Sequence, residues 1–134
     1  MNTIKKNNLL YWAAKGWISL FMLFSAFYTF THAHALRLLG FPDYFRIELF
    51  IAKIIGATLL LIPLTPARIK EWIYAGFGIA MISALIAHIC SHDPLSKILF
   101  VSVDFIIIVI CIQYVYKQEL ITIRESEKIL KGIR

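Results

Sequence analysis

The sequence predicts an all-α integral membrane protein, an antiparallel four-helix bundle with both termini in the cytoplasm. Three observations carry that prediction. Four apolar stretches, residues 9–31, 44–64, 71–90 and 96–116, each have the roughly 20 residues that a helix needs to cross a bilayer. Ten basic residues (Lys5, Lys6, Lys15, Arg68, Lys70, Lys117, Arg124, Lys128, Lys131 and Arg134) gather on one side, against Arg37, Arg46 and Lys97 on the other. The positive-inside rule makes the richer side cytoplasmic. The composition, 60% hydrophobic and 16% charged with a mean hydropathy of +0.75, carries more apolar surface than a soluble globule of 134 residues hides. The net charge of +6 is then a topology signal and argues against nucleic acid as a partner.

The elements follow in order. Lys5 and Lys6, an apolar run and Ala33-His34-Ala35 imitate a signal peptide, but the run exceeds the usual 7–15 residues, so it reads as an uncleaved first span. Tyr11, Trp12, Trp17, Trp72, Tyr74, Tyr114 and Tyr116 cluster toward the inner interface, as aromatic anchors do. The first connection, His32 to Asp43, faces outward, and its apolar turn Leu39-Gly40-Phe41-Pro42 is expected to fold back onto the bundle mouth. Asp43 is expected to cap the second span. Thr65-Pro66 and Asp93-Pro94 each read as an N-cap followed by proline in the first helical position, where its missing N–H costs nothing. The short second and third connections make spans two, three and four antiparallel neighbours. The tail, residues 118–134, places Leu120, Ile123, Leu130 and Ile133 at helical spacing and either continues the fourth helix or lies along the inner interface. One domain, residues 1–134, accounts for the whole chain.

Within the spans, polar residues stand out, because a charge in hydrocarbon is costly and usually functional. Counting from the outer helix ends puts Glu48 and His88 roughly 3–6 Å deep, and Lys53 and Asp104 roughly 12–14 Å deep. Matched depths predict two pairs, Glu48 with His88 and Lys53 with Asp104. Glu48 and Lys53 cannot pair with each other, since five residues rotate them roughly 140° apart. Read structurally, such pairs set helix register. Read functionally, His88 handles protons, and a quinone-sized or lipid-like ligand enters from the outer leaflet, with Ser25 and Tyr28 completing the pocket. In the third span Gly76, Ala80, Ala84 and His88 recur every four residues; the stripe reads as a packing seam or as a path ending at a histidine for a reason.

Other chemistries are less well supported. Haem ligated by two imidazoles needs a histidine on each of two facing helices; His88 and His92 share one helix face, while His32 and His34 lie at or beyond a helix end. His32, His34, His92 and Asp93 match no specific zinc spacing, so no metal site is assigned. Cys90 and Cys111 differ in depth by roughly 20 Å, too far for a disulfide relay.

Leu39-Gly40-Phe41-Pro42-Asp43-Tyr44-Phe45, Lys53 with Gly56, Leu60-Leu61-Ile62-Pro63, Arg68-Ile69-Lys70-Glu71-Trp72-Ile73-Tyr74-Ala75-Gly76-Phe77 and Ala87-His88 form a pattern. From about Ala14 to Tyr116 the chain resembles the DoxX-like family of small four-helix membrane proteins, most closely over Trp72–Phe77. Lys53 and His88 match positions of that pattern; Glu48 and Asp104 stand on depth alone. The resemblance implies a multi-pass protein of the bacterial cytoplasmic (inner) membrane. It also implies association with quinone-linked redox systems, as an accessory component that binds a quinone, a lipid or a partner subunit, or as a homo-oligomer. No redox cofactor motif accompanies it, so the expectation leans away from an enzyme. The alternative is a small proton-coupled transporter working as a dimer, although such exporters carry their key carboxylate in the first span and Leu9–Thr31 contains none.

Overall fold

The structure, a computed structural model, describes residues 2–133; Arg134 and the side chains of Lys5 and Lys6, counted among the basic residues above, lie outside the described residues. Every element within that range is helical: α1 (Asn2–Thr31), α2 (Ala33–Leu38), α3 (Asp43–Leu61), α4 (Ala67–Cys90) and α5 (Leu95–Gly132). The four long helices form a ring in the order α1, α3, α4, α5, in which α3 and α5 do not meet. α1 packs most extensively on α3, and α4 leans mainly on α5. Contacts between the N-terminal part of α1 and the C-terminal part of α5, through Tyr11 and Glu119, show the two running antiparallel.

Large apolar side chains cover the outside of the molecule, and several polar ones are buried beside its apolar core. Lys15 and Ser19 are only 1% exposed, whereas Phe24 is 68% and Trp72 80% exposed. Polar groups inside and aromatic groups outside fit lipid as the solvent. Among the described residues, three helices are long and apolar enough to cross a membrane: α1 from Asn8, α4 and α5. The second predicted span is not among them: α3, although 19 residues long, carries Asp43, Arg46, Glu48 and Lys53. Ile18, Met22, Leu60, Phe77, Met81, Ile108 and Val115 make the core, with the Phe21 and Phe77 rings meeting edge-on at 6.1 Å between centroids.

Several boundaries move for identifiable reasons. α3 stops at Leu61 because Ile62 precedes Pro63 and is held extended, at ψ 119°. Pro42, Pro66 and Pro94 are themselves the N-caps, and no side chain caps any of the three helices they start. The expected capping residues are engaged elsewhere: Asp43 takes the Arg37 guanidinium at 2.5 Å, and the Thr65 hydroxyl donates to Leu59 O at 2.6 Å. Arg37 thereby holds the Asp43 carboxyl below the usual carboxylate range.

The first connection does fold back. The Gly40 N–H donates to Arg37 O and the Phe41 N–H to Leu36 O, the paired bonds of a Schellman turn, with Gly40 supplying φ +87°. Leu36 is buried beneath it, and the Phe41 ring stacks on Phe45. The same turn closes α4, but there the left-handed residue is His92, at φ 55°, a conformation that costs a non-glycine residue about 1 kcal/mol. Beyond its membrane-length portion α5 runs on unbroken to Gly132, so the tail continues the helix instead of turning along the interface.

Candidate functional site

Lys53 is a buried polar residue at the contact between α3 and α1. Its stem is buried in α3, and its ammonium donates to Ser25 Oγ at 2.8 Å and Thr29 Oγ1 at 3.1 Å, both on α1. The Thr29 hydroxyl in turn donates to Ser25 O at 2.7 Å, so it accepts and donates at once. Two of the three ammonium protons are thus used, and among the described residues no carboxylate reaches the group.

Lys53 also forms part of the wall of a cleft of about 300 Å³ between α3 and α4. Gly56, Gly76, Phe77 and Ala80 line it with Met22 and Trp72, and Lys53 is its only charged side chain. The cleft exists because small residues face it. A Cβ placed on Gly76 would meet nothing within 4 Å, so the stripe expected to be a packing seam is at this point an opening. Gly56, by contrast, is a close approach: its Cβ would lie 3.0 Å from Met22 Cε and 3.4 Å from Ile73 Cγ2.

Both predicted pairs fail. Lys53 does not meet Asp104, because α3 and α5 lie across the ring from each other and α1 supplies the hydroxyls instead. Asp104 is half-buried on α5 without a hydrogen-bond partner among the described residues. Glu48 is exposed and does not meet His88, whose Nδ1–H donates to Asp93 Oδ2 at 2.6 Å. Tyr28 is exposed and stacks on the His32 ring at 4.1 Å, away from the cleft. The cleft lies along the N-terminal half of α4, Ile69 to Ala80, and not at the His88 end where the ligand pocket was expected. Among the described residues no group of three His, Cys, Asp or Glu is placed to hold a metal ion.

The His88–Asp93 bond clamps the end of α4 to the turn before α5. The hydrogen bond from His88, with Lys97 nearby, holds the Asp93 carboxyl below the usual carboxylate range, against the desolvation that opposes it. A depressed carboxylate stabilises the fold above its unfolded value, about 3.9, and loses that contribution as pH falls through its folded value. Amide protection in residues 91–93, corrected for intrinsic exchange, is therefore expected to fall only below roughly pH 4, and Asp93→Asn to abolish that acid dependence; an unchanged acid limb in the variant would assign it to another group.

A family model described as the DoxX-like family matches residues 13–112. The chain belongs to the DoxX-like family. No curated protein and no solved structure matches it. The matched DoxX-like region contains Lys53, Ser25, Thr29 and the whole cleft, and ends before Glu119.

Sequence reasoning missed a second polar cluster in this DoxX-like protein. The Tyr11 hydroxyl donates to Glu119 Oε1 at 2.9 Å, Lys70 Nζ donates to the same oxygen at 3.2 Å, and Lys15 Nζ lies 3.7 Å from it. Lys15 also donates to Tyr11 Oη at 3.2 Å and sits over the Trp12 ring. Lys15 and Lys70 were counted among interface charges. The available signal was the position of Lys15 inside the apolar run 9–31, roughly 9 Å past its start.

Proposed function

We propose that this DoxX-like protein is a four-span protein of the bacterial cytoplasmic membrane, with both termini inside. It holds an apolar ligand with an acceptor oxygen, of the quinone or lipid class, in the α3–α4 cleft, as an accessory component of a membrane redox system. The observation that carries the reading is the Lys53 ammonium, held by two α1 hydroxyls at the wall of an otherwise apolar cleft. Small-molecule sites begin near 300 Å³, are mostly apolar and orient their ligand with a few polar groups. A cleft of this size suits one ring, with any tail left in lipid past Trp72 and Gly76.

The donor set fits such a headgroup: Lys53 has one proton left for a ligand oxygen, and no competing carboxylate beside it. A quinone there would supply two-electron chemistry; the chain itself binds, orients and keeps out water. The fourth span is α3, whose 19 residues reach roughly 28 Å. Its charges are compatible with lipid because Arg46 donates to Phe30 O at 2.6 Å near the helix mouth and Lys53 is turned inward.

Native mass spectrometry of the gently solubilised protein tests the reading. The wild type and His88→Ala, which lies outside the cleft, are expected to carry a co-purifying quinone or lipid, and Lys53→Met to lose at least nine-tenths of it. A wild type that carries nothing, or a Lys53→Met protein that keeps its full load, rules the cleft out as the binding site.

A further inference from the structure

We propose that the Lys15–Lys70–Glu119 cluster is a second binding site, for a phosphate-bearing anion, independent of the α3–α4 cleft. Two ammonium groups face one carboxylate there, and among the described residues the three neighbours of Glu119, Tyr11 included, converge on the single oxygen Oε1. The cluster thus keeps one positive charge in excess, although the Lys15 side chain is only 1% exposed and that of Lys70 11%. An unneutralised charge held this far from water is expensive, and a monoanion removes the imbalance.

The space to receive it is present. A cavity of about 460 Å³ opens beside the cluster, and Lys70 and Glu119 line it with the amides of Asn8 and Gln118. Tyr11 and Trp12 stand at its edge. Lys70 is the direct contact, and Lys15 adds its field from behind the Tyr11–Glu119 pair. The level also suits a headgroup: Lys15, Lys70 and Glu119 lie roughly 24–36 Å from the helix ends at the opposite mouth, about one hydrocarbon thickness. A phosphodiester of the adjoining leaflet reaches the cavity at that height. Free phosphate offers the same oxygens without the acyl chains.

The test is the thermal stability of the full chain in neutral detergent, titrated in parallel with phosphatidylglycerol, phosphatidylcholine and inorganic phosphate. Phosphatidylglycerol is expected to raise Tm in a saturable way, and phosphatidylcholine to do so only weakly. Stabilisation by inorganic phosphate alone assigns the site to a soluble anion and still supports it. Lys70→Met is expected to bind about fivefold more weakly, in line with one lysine lost from an anionic surface contact. Lys117→Met, an exposed lysine that does not line the cavity, is expected to bind as the wild type does.

Glu119→Gln reverses the sign. It removes the competing carboxylate, so it lowers Tm without anion and enlarges the rise on adding it. That variant decides the matter even if Lys70→Met fails to fold. No rise in the wild type, equal losses in Lys70→Met and Lys117→Met, or a Glu119→Gln protein with an unchanged increment would each overturn the proposal.

Discussion

Replacing Glu119 by leucine is expected to destabilise the helix assembly by about 3–5 kcal/mol, the range found when one partner of a buried ion pair is removed. The carboxylate holds three groups from two other helices, Tyr11 and Lys15 of α1 and Lys70 of α4. Without it, two ammonium groups face each other where little water can screen them, and the Tyr11 hydroxyl loses its acceptor. Leucine fills the volume, so the loss reflects charge and hydrogen bonding more than a cavity. Equilibrium unfolding in mixed micelles measures it, and Lys15→Met on the Glu119→Leu background should recover part of the loss by removing one repelling charge. A single variant within 0.5 kcal/mol of wild type, roughly the scatter of an ordinary surface substitution, would mean that Glu119 is solvated and the cluster electrostatically inert.

Gly56→Leu is expected to empty the α3–α4 cleft of ligand while costing about 1–3 kcal/mol by overpacking. Even the first added carbon would lie 3.0 Å from Met22 Cε, a flexible methyl that can withdraw, and 3.4 Å from Ile73 Cγ2 on α4. The remaining leucine carbons have only the cleft to enter. Gly56→Ala separates the two effects, since it needs only the Met22 shift and should keep the ligand. Because Lys53 retains its bonds to Ser25 and Thr29 in both variants, loss of ligand in Gly56→Leu alone reports space and not charge. Native mass spectrometry beside a thermal melt reads both; a fully loaded Gly56→Leu protein would move the ligand to another surface.

Much of the architecture was legible in the residues. Helix existence follows from apolar runs bounded by Pro42, Pro63, Pro66 and Pro94, and the DoxX-like pattern lies in the same residues that the family model matches, 13–112. The exact caps were less legible: proline tolerates both N-cap and first-turn positions, and Asp43 and Thr65 had better partners than a helix terminus. Lys53 was singled out by depth, and the structure gives it a buried hydrogen-bonding role. Its partner was not readable, because hydroxyls such as Ser25 and Thr29 are too common in apolar helices to mark a site.

What the sequence by itself determined was the helical class, the apolar surroundings and the position of each charge along its helix, because rise per residue converts spacing directly into axial distance. What only the tertiary structure decided was azimuth. Which helices are neighbours depends on how whole surfaces pack, and that summed choice put α3 across from α5, turned Lys53 to α1, sent His88 to Asp93, and brought Lys15 and Lys70 onto one carboxylate at the start of the tail.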